Sequence, residues 1–237
     1  MIKKSASLWR QKYIAPDGGG KLETHDERDP FVEGAPRITR NENSQLFLVM
    51  GHIALHKLEM LEGVDLENYV RHIEDSKVED GLYLRRHKDF GIRQSHDNII
   101  GIAVGSVIHS TKHALWICEY GEKHGWCFSF TGKWELESCL QGGDIAVIKT
   151  LAGKAPTLWE CAWFLIGMLL KKDAVQVNLL SVRIYGLALM PRNWFTVMAQ
   201  AIFGILHGSK MVSSVQEYFK RDDERNPFID LWEAAFK

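Results

Sequence analysis

From position 44 onward, apolar side chains recur at steps of three and four, the spacing that lines one face of an α-helix. Over 44–61 the set is Leu46, Phe47, Met50, Ile53, Ala54, Leu58 and Leu61, and Gly63 ends the pattern. Asp65 then reads as the cap of a shorter helix running to about 75. Ser95 caps a helix over 97–109 that buries Ile99, Ile100, Ala103, Val104 and Val107. Gly101 and Gly105 stand one turn apart on it and let a neighbour approach closely. A partner follows over 111–120. Thr157 and Glu160 have capping-box spacing and open the most apolar helix of the chain, 157–170. Asp173 caps a helix to about 190. Pro191 precedes a helix over 194–206 closed by Gly208, and Asn226-Pro227 starts the last one. The segment 125–143 reads as either a short hairpin or an irregular loop.

Residues 1–43 differ. They hold three of the six prolines, the run Pro16-Asp-Gly-Gly-Gly-Lys21 and a polar stretch from Glu23 to Asp29. That is loop composition, with a short helix near Leu8–Tyr13. The chain is therefore divided into an irregular N-terminal arm (1–43) and a single helical domain (44–237). Strongly apolar helices at 44–61, 97–109, 157–170, 193–207 and 226–236 alternate with more mixed ones, and short links join antiparallel neighbours. The expected fold is all-α. A ring or arc of helical hairpins, with the apolar members inside, competes with a plain helical bundle.

Composition narrows the function. With 29 basic and 30 acidic side chains the formal charge is -1, so the chain has no general attraction to nucleic acid or anionic lipid, and neither is expected as a partner. The longest apolar run, 158–170, contains a glutamate and is too short to span a bilayer. The N-terminus leads into no apolar signal region, so secretion is not expected and the cytoplasm of the producing cell is the expected location. Cys118, Cys127, Cys139 and Cys161 show no metal-finger spacing and are expected to be reduced. No cofactor is expected. His52 and His56 stand four apart, but no glutamate follows His52, so the zinc-protease pattern fails and no metal site is expected.

If the apolar helices form an inner ring, their N-termini gather at one end. The stretches ahead of them are Arg37-Ile-Thr-Arg40-Asn41, Arg93-Gln-Ser-His96-Asp97-Asn98, Lys154-Ala-Pro-Thr157 and Arg192-Asn193-Trp194. Each brings a cation to the positive end of a helix dipole, where it costs stability but suits an anionic ligand. Arg40, Asn41, Arg93, Asn98, Arg192 and Trp194 are the candidate ligand-binding residues, with Trp159 and Trp9 as further stacking faces. His96 and Asp97 are the candidate acid/base pair, because an adjacent carboxylate can set the imidazole tautomer. Asp97 in a first helical turn equally serves the dipole alone.

The stretches Arg93-Gln-Ser-His-Asp-Asn-Ile-Ile-Gly-Ile102 and Cys118-Glu-Tyr-Gly-Glu-Lys-His-Gly-Trp126 resemble proteins of tailed bacteriophages. The form this resemblance implies is similar to the (α/α) toroid of glycoside hydrolases and polysaccharide lyases, and it transfers no catalytic residue. Toroid glycosidases need two placed carboxylates, and here Asp97 has only Asp17 or Glu160 as partners. The resemblance implies a phage-associated, toroid-like, glycan-directed protein, and together with the cations ahead of the helices it gives the first reading: binding or cleavage of an acidic saccharide at the open end of the toroid. The alternative is a non-catalytic structural or accessory component that contacts virion proteins.

Overall fold

The fold is all-α, built around helices with almost no exposed face. In the computed structural model, residues 2–14, 23–24, 40–41, 45–83, 96–128, 139–170, 174–218 and 227–237 are described. Among them run α1 (Ile2–Tyr13), α2 (Gln45–Lys57), α3 (Gly63–Ser76), α4 (His96–Ile108), α5 (His113–Lys123) and α6 (Gly142–Leu151). Then come α7 (Leu158–Leu170), α8 (Ala174–Leu189), α9 (Trp194–His207), α10 (Met211–Tyr218) and α11 (Pro227–Phe236). Two antiparallel ladders accompany them. One pairs β1 (Glu23–Thr24) with β2 (Arg40–Asn41), the other β3 (Lys77–Glu79) with β4 (Leu82–Tyr83). The caps expected at Ser95 and Asp173 lie outside the described residues.

Contacts at their ends set the directions of the central helices. Val49 and His52 of α2 meet Gly105 and His109 at the end of α4, so these two helices run parallel. His96 of α4 faces Asp144 of α6, while Val104 and Leu151 meet against Gly186 of α8, so α4 and α6 are parallel as well. Tyr185, beside Gly186, bonds His56 near the C-terminal end of α2 (Oη to Nδ1 2.8 Å). The C-terminal parts of α2, α4, α6 and α8 thus gather at one end. Helix α7 returns antiparallel to α6, with Lys149 against Glu160 (2.8 Å) and Gly143 against Phe164.

Gly105 does what its spacing suggested. A Cβ there would stand 2.5 Å from the Tyr69 ring and 3.0 Å from Val49 of α2, so the tyrosine and α2 both use the space that the missing side chain leaves. The Thr157–Glu160 capping box is present in both directions (2.7 and 3.2 Å). At α3 the cap is Glu62 rather than Asp65. Asp65 occupies the third helical position and accepts the Glu62 N–H (2.8 Å), which leaves its carboxylate free to hold Arg10 of α1 in a two-pronged bond (2.8 and 2.7 Å).

Two expectations are corrected. The N-terminal helix is longer than the short element near Leu8–Tyr13. It packs on α2 and α11, and Trp9, expected as a ligand-stacking face, is 1% exposed in the core. The inner set is also different: α2 and α4 are inner helices, but α7 and α9 are outer ones. Their high apolar content covers both faces, so each buries one stripe and exposes another. Helix α8 is the inner member because its polar side chains find partners inside, as Asn178 does with Ser214 (2.6 Å). Low polarity is no measure of burial when buried polar groups are paired.

The reduced state expected for all four cysteines is corrected too. Cys127 and Cys139 form a disulfide at an isolated antiparallel bridge, beside the Leu140 N–H bond to the Trp126 carbonyl (2.8 Å). This bridge settles the base of the 125–143 segment; residues 129–138 lie outside the described residues. Unfolded but unreduced protein should therefore titrate two thiols, Cys118 and Cys161, and reduced protein four. Reduction should lower stability by about 3 kcal/mol, as for a loop of this length. Four thiols without reductant would refute the pairing.

Candidate functional site

The sequence candidates divide between two ends of the molecule. His96, Asp97 and Asn98 form the first turn of α4, and Asn98 is 1% exposed. Arg40 and Asn41 lie in β2, a few residues ahead of α2, and so lead into the same end; their side chains, and Arg93, lie outside what is described. Lys154 to Thr157 and Arg192 to Trp194 are elsewhere. Each follows an inner helix, α6 or α8, and opens an outer one, so they stand at the end where the inner helices finish. Helix α6 alone separates them from His96 by about 15 Å. Lys154 is engaged there by Glu122 of α5 (2.7 Å), and Arg192 and Trp194 are exposed. Lys154 and Arg192 therefore do not stand at the end where α4 begins. The difference from the expected gathering follows from α7 and α9 being outer helices.

What His96 does meet is a carboxylate and an arginine from two other helices. His96 Nδ1 lies 3.7 Å from Asp144 Oδ2, in the first turn of α6. The other oxygen, Oδ1, accepts a 2.7 Å bond from Arg183 Nη2, which reaches in from α8. Asp144 and Arg183 are both well shielded, at 15% and 5% side-chain exposure, so the pair works in a low dielectric where loss of either partner is costly. His96 Nε2 and Arg183 Nε are buried without a hydrogen-bond partner among the described residues. Two donors or acceptors held out of water in this way have the capacity for a ligand or an ordered water. The first turns of α4 and α6 add their N-terminal dipoles at the same place.

Arg183 and Asp144 were not singled out from the sequence. Arg183 had a signal: a lone arginine within Asn178-Leu-Leu-Ser-Val-Arg-Ile-Tyr-Gly186 must be paired if that helix is buried. Asp144 had little, because Gly142-Gly143 conceals the start of a ten-residue helix. Glu160, weighed as a carboxylate partner, is occupied by Lys149 and by the cap of α7. Asp17 lies outside the described residues.

A second polar cluster crosses the core. His52 Nδ1 and His109 Nε2 are 2.9 Å apart, and Tyr69 stacks on His109 while donating to the Ile102 carbonyl (2.7 Å). Burial drives both imidazoles down, His52 to about 3 and His109 to about 4. His56 takes a separate partner, Tyr185.

The chain matches no protein-family model, no curated protein and no solved structure at a significant level. Among the described residues no helix is long and apolar enough to cross a membrane.

Proposed function

We propose that this chain is a phage-associated, glycan-directed protein with a toroid-like ring of hairpins, which binds or cleaves an acidic saccharide at the end where α4 and α6 begin. The observation that carries the reading is the His96–Asp144–Arg183 group. An imidazole stands 3.7 Å from a carboxylate that is itself held by a buried arginine, and His96 Nε2 and Arg183 Nε are both without a hydrogen-bond partner among the described residues. In this reading His96 moves the proton and Arg183 is a positioning residue. Asp144 adds a carboxylate beside His96, and the paired helix N-termini favour the acidic substituent. The common direction of α2, α4, α6 and α8 supports the ring.

A panel of acidic and neutral polysaccharides tests this, by binding and by release of reducing or unsaturated ends. Turnover on an acidic polymer should fall about 10²-fold or more in His96→Ala and in Asp144→Asn. Absence of both binding and product across the panel overturns the proposal. The second reading, a non-catalytic virion component, draws on the exposed apolar stripes of α7 and α9. It requires that the protein co-purify with particle proteins.

A further inference from the structure

Helices α7 and α9 pack against each other through Phe164 on Phe195 and through His207 on the Met168 carbonyl (2.8 Å). Those contacts use only one side of each helix. On the other side of α7, Leu158, Trp159, Trp163 and Ile166 follow one another at helical spacing, with Leu158 75% and Trp159 68% exposed. On α9 the outward residues are Trp194, Val197, Met198 and Ile205, the last 82% exposed. Two packed helices that each leave large aliphatic and indole groups in water carry exposed apolar surface of the kind that marks an interaction site.

Charge selects the occupant. Between Ala152 and Gln216, Glu160 is the one carboxylate among the described residues, and Lys149 neutralises it. The exposed charges at the two ends of α9 are cations: Arg192 two residues before Trp194, and Lys210 three residues after His207. A second copy of the chain docked on this face would offer no exposed carboxylate from α7 or α9 to receive them. An anionic lipid surface would. Indole groups favour the depth of the headgroups, aliphatic side chains the acyl boundary, and basic groups the phosphates. We propose that the α7–α9 face seats on an anionic bilayer, with both helices lying in the interface rather than crossing it. The expectation of no membrane partner rested on net charge and on the length of a spanning segment, and neither bears on a helix that lies flat.

The test is sedimentation of the full chain with vesicles of phosphatidylcholine alone, or with a minor fraction of phosphatidylglycerol, at low ionic strength. The protein should pellet with the mixed vesicles and not with the neutral ones. Arg192→Gln combined with Lys210→Gln should weaken that binding roughly 10- to 30-fold, about fivefold for each cation removed. Leu158→Glu combined with Ile205→Glu should abolish it. Both pairs are exposed, and circular dichroism verifies that the variants fold. Failure to pellet with mixed vesicles overturns the proposal, as does equal binding to neutral ones. So does a concentration-dependent dimer that Leu158→Glu with Ile205→Glu dissociates, because the face then belongs to a second copy.

Discussion

An Arg183→Met variant should lose about 3–5 kcal/mol of stability in urea denaturation, far more than its lost apolar packing would cost. The methionine keeps the stem of the side chain and removes the guanidinium, leaving Asp144 shielded from water without its 2.7 Å partner. Asp144→Asn in the same background should recover a large part of the loss, because an amide needs no counter-charge. A double-mutant cycle measures this, and additivity within about 0.5 kcal/mol would show that the two side chains are not coupled. The same cycle separates architecture from chemistry. Arg183→Met with Asp144→Asn should be folded yet inactive on any polymer the parent attacks, since His96 has lost the group that orients it.

Acidification should weaken the fold well before the carboxylates titrate. His52 sits at about 3 and His109 at about 4 because burial penalises their charged forms; His109, 2.9 Å away, further opposes protonation of His52, and His56 opposes that of His109. In the unfolded chain both return to about 6.5. Below that pH the unfolded state takes up protons that the folded state refuses, so stability falls as pH falls. At about 1.4 kcal/mol per pH unit per group, the two cost roughly 4 kcal/mol between pH 8 and pH 5. The loss levels off for His109 near pH 4 and for His52 near pH 3. Asp65 acts in the same sense further down. Burial alone would raise its carboxyl, but the Arg10 bond and the Glu62 N–H outweigh that and hold it below the ordinary value. Urea midpoints at pH 8, 6 and 5 measure the effect, and His52→Gln with His109→Gln should flatten most of the slope. A parent protein whose midpoint is unchanged between pH 8 and 5 would show that these imidazoles are not held neutral.

The helices were largely legible because capping boxes, prolines and glycines leave local marks. Thr157–Glu160, Pro227 and the close approach at Gly105 all needed only neighbours in the chain to be read. What could not be read was which stripe of an apolar helix faces inward. Helices α7 and α9 carry apolar residues on both sides, and α8 hides Arg183, Asn178 and Ser181 among aliphatic positions. Sequence reasoning therefore exchanged inner for outer members, and with them the end of the molecule to which Arg192 and Trp194 belong. His96 was legible as a candidate because it opens a strongly apolar helix. Asp144 was missed because a glycine pair precedes it.

The bond between Ser5 and Asp230 (3.3 Å) joins residues 225 positions apart, while Trp9 of the same α1 packs on Gly51 and His52 of α2. Every hairpin can assemble from near neighbours, but this closure must bring distant segments together and incurs the greatest loop entropy. The join between α1 and α11 is therefore the natural clasp. It is the last element to shut during folding and the first to spring open when the protein is heated.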